Sequence, residues 1–149
     1  MDLGLSFTST TVVDSANTAL ALGSGDMNVF ATPAMVALME NAAMNAVAQH
    51  LDEGQTTVGT HISTSHIKAS PLGATVSATA TLIAIEGRKL SFEIIAYEGE
   101  ILNEPSTIHF FSIFLIVLVS ALCPRSRDNA PKIILLPAPV SPVITEKPR

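Results

Sequence analysis

The longest helical pattern in the chain lies between Ala31 and Leu51, where apolar residues predominate. Asn41, Asn45 and Gln49 recur every four residues within it and mark a polar stripe. Glu40 lies off this stripe. Its helical neighbours at three and four residues' distance are all apolar: Val36, Ala37, Ala43 and Met44. Burying an unpaired charge costs several kcal/mol, so Glu40 is either a rim residue that reaches water or a site carboxylate facing a cleft.

Thr32 and Pro33 predict where this helix begins. A threonine N-cap accepts hydrogen bonds from free backbone N–H groups, and proline suits the first helical position. The helix is expected to end near Leu51, because Asp52–Gly54 is a turn-forming segment.

Four segments have the composition or the period-two alternation of strands: Leu5–Val13, Thr56–Ser70, Ala74–Ile85 and Leu90–Gly99. In the last two, alternate apolar residues predict one buried face: Val76, Ala78, Ala80, Leu82, Leu90, Phe92, Ile94 and Ala96. Glu86–Lys89 predicts a hairpin turn between them, with a glycine where positive φ is needed.

The order of these elements is strand, long apolar helix, then a meander of at least three strands. A helix that is apolar over most of its circumference is best covered by a curved antiparallel sheet, so the predicted class is α+β. The sequence contains no dinucleotide or P-loop fingerprint, no metal-ligand spacing of Cys and His, and no internal repeat.

The composition changes near Glu100, which divides the chain into a domain at residues 1–100 and a tail at 101–149. The first part holds ten acidic and three basic residues with two prolines, and the second holds three acidic and five basic residues with seven prolines. Ile108–Leu122 is an apolar run shorter than the roughly 20 residues needed to cross a bilayer, which makes membrane association a minor alternative. The Pro-rich remainder predicts no regular structure.

Charge and cysteine content narrow the function classes. The net charge of −5 argues against non-specific nucleic-acid binding, which requires a basic face. A single cysteine, Cys123, forms no intrachain disulfide, and the N-terminus lacks the pattern of a signal peptide. We therefore expect a cytoplasmic protein.

His66 is the best candidate partner for Glu40. The pattern predicts it in mid-strand, in a segment poor in charge, although a lone histidine is more often structural. His61 is predicted on the opposite face and exposed, and His50 at the helix end, where a cation suits the dipole. Thr32 is explained as an N-cap, yet a hydroxyl at a helix N-terminus is also well placed for a developing oxyanion.

Three motifs in order carry a family resemblance: "FATPAMVALMENAA", "VGTHISTSHIKASPLG" and "TLIAIEGRKLSFEIIAYEG". Over residues 29–99 the chain resembles the fluoroacetyl-CoA thioesterase-like family of hotdog-fold acyl-CoA thioesterases. The resemblance implies an antiparallel sheet wrapped around a central helix, usually in a homodimer with active sites at the subunit interface. The Glu40 carboxylate would then face an acyl-CoA cleft.

Residue roles follow from the same resemblance. Thr32, Glu40 and His66 occupy the family's catalytic positions, and Gly59 occupies the position whose backbone approaches the thioester carbonyl. Phe30 and Thr60, in the same motifs, are expected to contact the substrate. The implied reaction is hydrolysis of an acyl-CoA without a metal or cofactor, since coenzyme A is part of the substrate. Glu40 would activate water or attack directly, with His66 managing protons.

Two departures from the family change the expectation. The segment before Thr32 carries "GSGDMN" and no obvious aromatic lid, which favours a broader short-chain acyl-CoA preference. Nothing after Glu100 matches the family's last strand, so residues 101–149 are interpreted as an atypical, disordered or out-of-frame terminus. "FFSIFLIVLV" is the segment whose composition suits pairing in that strand's place. Alternatives are a non-catalytic ligand-binding hotdog protein or an inactive truncated member.

Overall fold

The computed structural model describes residues 1–99 and, as backbone, residues 109–119. Five strands and one long helix follow each other along the chain. Their bounds are β1 Ser6–Val12, α1 Thr32–Val47, β2 Gln55–Ser63, β3 Thr75–Glu86, β4 Lys89–Glu98 and β5 His109–Val119. The predicted α+β class is confirmed.

The strands form one antiparallel sheet in the order β1-β3-β4-β5-β2. Strand β5 lies between β4 and β2, so the apolar segment of the predicted tail pairs within the sheet, as its composition suggested. The change in composition near Glu100 is therefore not the end of the sheet. The predictions for residues 100–108 and 120–149, including Cys123 and the Pro-rich segment, lie outside the described residues.

Helix α1 packs across the inner face of this sheet. The alternation predicted for β3 and β4 is confirmed, because all eight apolar residues of the predicted face are buried. They meet Met35 and Met39 from the helix in a single core. Three alanines, Ala42, Ala43 and Ala46, let the helix lie close to the strands, since a methyl group needs little space.

The hairpin between β3 and β4 is confirmed, and Gly87 in its turn has φ of 60°. The α-helix ends at Val47, and a 3-10 turn, Ala48–His50, extends it close to the predicted end near Leu51. Two other predicted boundaries are wrong. The helix N-cap is Ala31, not Thr32, and no side chain caps it. Strand β2 ends at Ser63, so His66 does not lie in mid-strand.

Candidate active site

Thr32 and His66 form one half of the candidate site. The Thr32 hydroxyl oxygen lies 2.8 Å from Nδ1 of His66, within hydrogen-bond distance. Thr32 is the first residue of α1 and is exposed, and its hydroxyl does not cap the helix. The interpretation of Thr32 as a structural N-cap is therefore wrong, and its hydroxyl contacts the imidazole instead.

The segment after β2 places His66 beside the start of the helix. The C-terminal end of this segment is bonded to the residues just before α1. The Phe30 N–H donates to the Ser70 carbonyl over 2.8 Å, and Val29 forms a β-bridge with Pro71. These backbone bonds hold two chain segments distant in sequence side by side. The imidazole consequently meets Thr32, the first residue of the helix.

A cavity of about 230 Å³ opens next to the Thr32–His66 pair. Its wall contains Phe30, which is almost fully buried, and the exposed Ile67. Lys68 also lines it, and its ammonium group lies 3.4 Å from a carboxylate oxygen of Glu98. This volume is below the roughly 300–1,000 Å³ of typical ligand pockets. It suits the acyl end of a substrate better than a whole nucleotide thioester.

Glu40 and Gly59 form the other half of the candidate site. Glu40 is half-buried, and its side chain lies directly over the Cα of Gly59. A Cβ atom built on Gly59 would overlap a carboxylate oxygen of Glu40 and lie 3.1 Å from its Cδ. Position 59 thus admits only glycine while Glu40 keeps this conformation. Both residues line a cavity of about 330 Å³ between α1 and β2.

The two pairs lie in separate cavities that share no lining residue. Thr32 and Glu40 are eight residues apart in α1, which is about 12 Å along the axis at 1.5 Å per residue. The structure therefore brings Thr32 to His66 and Glu40 to Gly59. It does not bring the predicted trio together at one point of a single chain.

The other candidates from the sequence have the following places. Thr60 is exposed at an irregularity of the β2 register and lines neither cavity. His61 is exposed, as predicted. His50 lies in the 3-10 turn that follows α1, also as predicted for a residue at the helix end.

Thr57 was not among the candidate site residues predicted from the sequence. This residue lies two positions before Gly59 on β2 and lines the Glu40 cavity. Its hydroxyl oxygen is buried and has no hydrogen-bond partner among the described residues. The period-two alternation of a strand places Thr57 on the same face as Gly59, and this relation was the available signal.

Two kinds of feature are absent from the described part of the chain. No group of three or more His, Cys, Asp or Glu side chains is arranged to hold a metal ion there. None of the helices within these residues has the length and apolar character required to span a bilayer.

Comparison with known proteins decides the family. A family described as fluoroacetyl-CoA-specific thioesterase matches residues 13–102. The chain belongs to this family. The resemblance noted in the sequence is thereby confirmed, and the match includes both halves of the candidate site.

A curated protein and a crystal structure that are similar to this chain support the family assignment. The fluoroacetyl-CoA thioesterase of Streptantibioticus cattleyicolor is 46% identical over 71 residues, which are 48% of this chain and 51% of that protein. The chain thus spans about half the length of the curated relative it matches. A crystal structure of a point mutant of the fluoroacetyl-CoA-specific thioesterase FlK is 34% identical, with a TM-score of 0.71. That comparison covers 80% of this chain and 89% of the other.

Two more distant structures support the fold alone. A hypothetical Thermus thermophilus protein of the thioesterase superfamily is 24% identical, with a TM-score of 0.71 over 80% of this chain and 85% of the other. A hot-dog-like protein from Thermanaerovibrio acidaminovorans is 18% identical, with a TM-score of 0.69 over 80% of this chain and 85% of the other. The hotdog fold predicted for this family member is confirmed.

Proposed function

We propose that the chain is an acyl-CoA thioesterase that hydrolyses short-chain acyl-CoA thioesters to the free acid and coenzyme A. The observation that carries the proposal is the hydrogen bond between Thr32 and His66, in a chain whose helix also places Glu40 over Gly59. These residues include a hydroxyl, an imidazole and a carboxylate, which together supply the proton transfers that thioester hydrolysis requires. The cavity of about 230 Å³ beside the Thr32–His66 pair favours a short acyl group.

Each residue has a distinct proposed role. Glu40 either accepts a proton from the water that attacks the thioester carbon, or attacks that carbon itself. In the second route the C–S bond breaks to give an anhydride, which water then hydrolyses to the free acid and the restored carboxylate. His66, oriented by Thr32, donates the proton that the departing thiolate of coenzyme A takes up. Gly59 lets the thioester carbonyl approach the strand closely, because it has no side chain. The reaction uses no cofactor, since coenzyme A is part of the substrate.

The separation of the two pairs leads to a proposal on assembly. In a homodimer, Glu40 of one subunit would join Thr32 and His66 of the other at a shared site. The rims of both cavities carry exposed apolar side chains, namely Met44 and Val58 beside Glu40 and Ile67 beside His66. Exposed apolar side chains that cluster on a surface are typical of interaction sites. The cytoplasmic location expected from the sequence stays a prediction.

The proposed activity is tested by release of free coenzyme A from acetyl-, fluoroacetyl-, butyryl- and longer acyl-CoA thioesters. We expect the full chain to prefer the short thioesters and Glu40→Gln to lose at least about 100-fold in kcat, as is usual for an essential acid–base group. His61→Gln, an exposed change outside both cavities, is the matched control and should retain activity.

Two results would contradict the proposal. Undiminished hydrolysis by Glu40→Gln would exclude both proposed roles of this carboxylate. Thermal stabilisation of the wild-type chain by acyl-CoA without turnover would instead identify a ligand-binding protein. The second outcome is the alternative function, and the placement of the two pairs in separate cavities of one chain is the observation that favours it.

A further inference from the structure

The conformation of Glu40 raises a steric question about substrate binding. Its carboxylate occupies the space directly over Gly59. This is the space that a thioester carbonyl would need in order to approach Gly59, so both groups do not fit there together. If the proposed function holds, Glu40 has to turn aside when the substrate enters, and its charge then needs a hydrogen-bond donor.

Thr57 is placed to be that partner. It precedes Gly59 by two residues on β2, and the two Cα atoms of an i, i+2 pair in a strand lie about 6.5 Å apart on the same face. It lines the same cavity as Glu40. A threonine hydroxyl is a donor of suitable strength for a carboxylate, and a bond to an ionised acceptor is stronger than one between neutral groups.

The state of the Thr57 hydroxyl supports this assignment. Its oxygen is out of contact with solvent and has no partner among the described residues, which is uncommon for a buried polar atom. In the sheet, Thr57 pairs in register with Val117 on β5. A rotation about χ1 exchanges the hydroxyl and methyl positions between staggered wells, and this rotation would turn the hydroxyl into the cavity.

We propose that Thr57 is a positioning residue that donates a hydrogen bond to the Glu40 carboxylate in the substrate complex. In the unliganded chain the hydroxyl has no hydrogen-bond partner among the described residues. When the substrate carbonyl displaces Glu40 from Gly59, the Thr57 hydroxyl donates a hydrogen bond to the carboxylate. This bond stabilises the charged carboxylate beside the acyl carbon. The proposal rests on the thioesterase function and concerns the same site.

The test compares Thr57→Val, which replaces the hydroxyl by a methyl group, with Thr57→Ser, which keeps the hydroxyl. We expect Thr57→Val to lower kcat by roughly 10-fold to 100-fold, the range for loss of one hydrogen bond to a charged group. Thr57→Ser should restore most of the rate. Thr56→Val, on the opposite face of the same strand, is the matched control and should retain wild-type kcat.

Stability and pH dependence separate this role from a structural one. Since the unliganded hydroxyl bonds none of the residues that the structure describes, Thr57→Val should leave the melting temperature unchanged or raise it. The acidic limb of the kcat profile should move to higher pH, because the charged carboxylate loses a donor, while the acidic limb of kcat/KM stays in place. Glu40 is the only titratable residue among the described ones that line this cavity.

Each remaining outcome has one meaning. Wild-type rate and pH profile in Thr57→Val would overturn the inference and leave the thioesterase proposal intact. A fall in melting temperature with a loss of activity that serine does not restore would show a structural role and overturn it as well. Absence of turnover by the wild-type chain would overturn the proposed function and this inference together.

Discussion

Substitution of Gly59 by alanine tests the contact between the strand and the candidate carboxylate. The new Cβ would overlap the carboxylate oxygen of Glu40 and lie 3.1 Å from its Cδ and 3.8 Å from its Cγ. The flexible end of the glutamate has to give way. The φ angle of Gly59 is not positive, so alanine fits the backbone of β2 without strain.

The expected effects on stability and activity differ in size. Alanine in a strand gains about 0.5–1 kcal/mol over glycine. An off-rotamer glutamate costs about 0.5–1.5 kcal/mol. The free energy of unfolding should therefore change by less than about 1 kcal/mol. The activity should fall by about 100-fold in kcat, because a displacement of about 1 Å in a reacting group has that effect.

The assay combines release of coenzyme A with urea unfolding in a double-mutant cycle. If the Cβ acts through Glu40, then Gly59→Ala should cost nothing in the Glu40→Ala background and should stabilise the chain there. Ser63→Ala, an exposed change on the same strand, is the control and should leave both quantities unchanged. A Gly59→Ala protein with wild-type kcat, or an equal loss of stability in both backgrounds, would refute the reasoning.

Three further changes test other parts of the account. Thr32→Ala should lower kcat about 10-fold or more and hardly alter urea unfolding, because its exposed hydroxyl contacts His66 and caps no helix. Thr32→Ser should restore the rate, and a failure of serine to do so would contradict the hydrogen-bond role. Phe92→Ala should destabilise the chain by about 3–5 kcal/mol in urea unfolding, because the ring is fully buried, whereas the half-exposed Phe7→Ala should cost far less; equal losses would contradict the placement of the core. A chain ended at Gly99 should aggregate, as measured by size-exclusion chromatography, because without β5 the edges of β4 and β2 are unpaired; a soluble, folded truncation would contradict the role of β5.

The sequence alone predicted the parts of the fold that depend on local periodicity. The alternation in β3 and β4 identified their buried faces, since a strand exposes every second residue to one side. The turn at Gly87 followed from the same local rule. Glu40 was singled out because its helical neighbours are apolar, and the structure places it over a glycine of the adjoining strand.

The features that the sequence did not predict depend on contacts between distant segments. Thr32 has the local signature of an N-cap, but its hydroxyl bonds His66, which the backbone bonds of Phe30 and Ser70 bring to the helix start. A Cβ at position 59 would overlap the Glu40 carboxylate. This steric relation joins a strand to a helix, and residue spacing along the sequence does not predict it. The residue types were predictable from the sequence. The contacts of Thr32 with His66 and of Glu40 with Gly59 were not.

The most direct measurement of the central claim is activity in a mixed dimer. Subunits carrying Glu40→Gln and His66→Ala are co-expressed with different affinity tags, and the dimer holding both tags is purified. One site of such a dimer combines an intact Glu40 with an intact Thr32 and His66. This dimer should release coenzyme A at about half of the wild-type rate, because one of its two symmetric sites is intact.

The matched control is a mixed dimer of Thr32→Ala and His66→Ala, whose lesions fall in the same half of the site. It should stay as slow as its parents. Each of its two sites lacks either the Thr32 hydroxyl or the His66 imidazole, so neither site contains an intact Thr32–His66 pair. Recovery in the first mixed dimer and none in the control is the predicted result. A Glu40→Gln and His66→Ala dimer as inactive as either parent, beside an active wild type, would contradict a site built from two subunits.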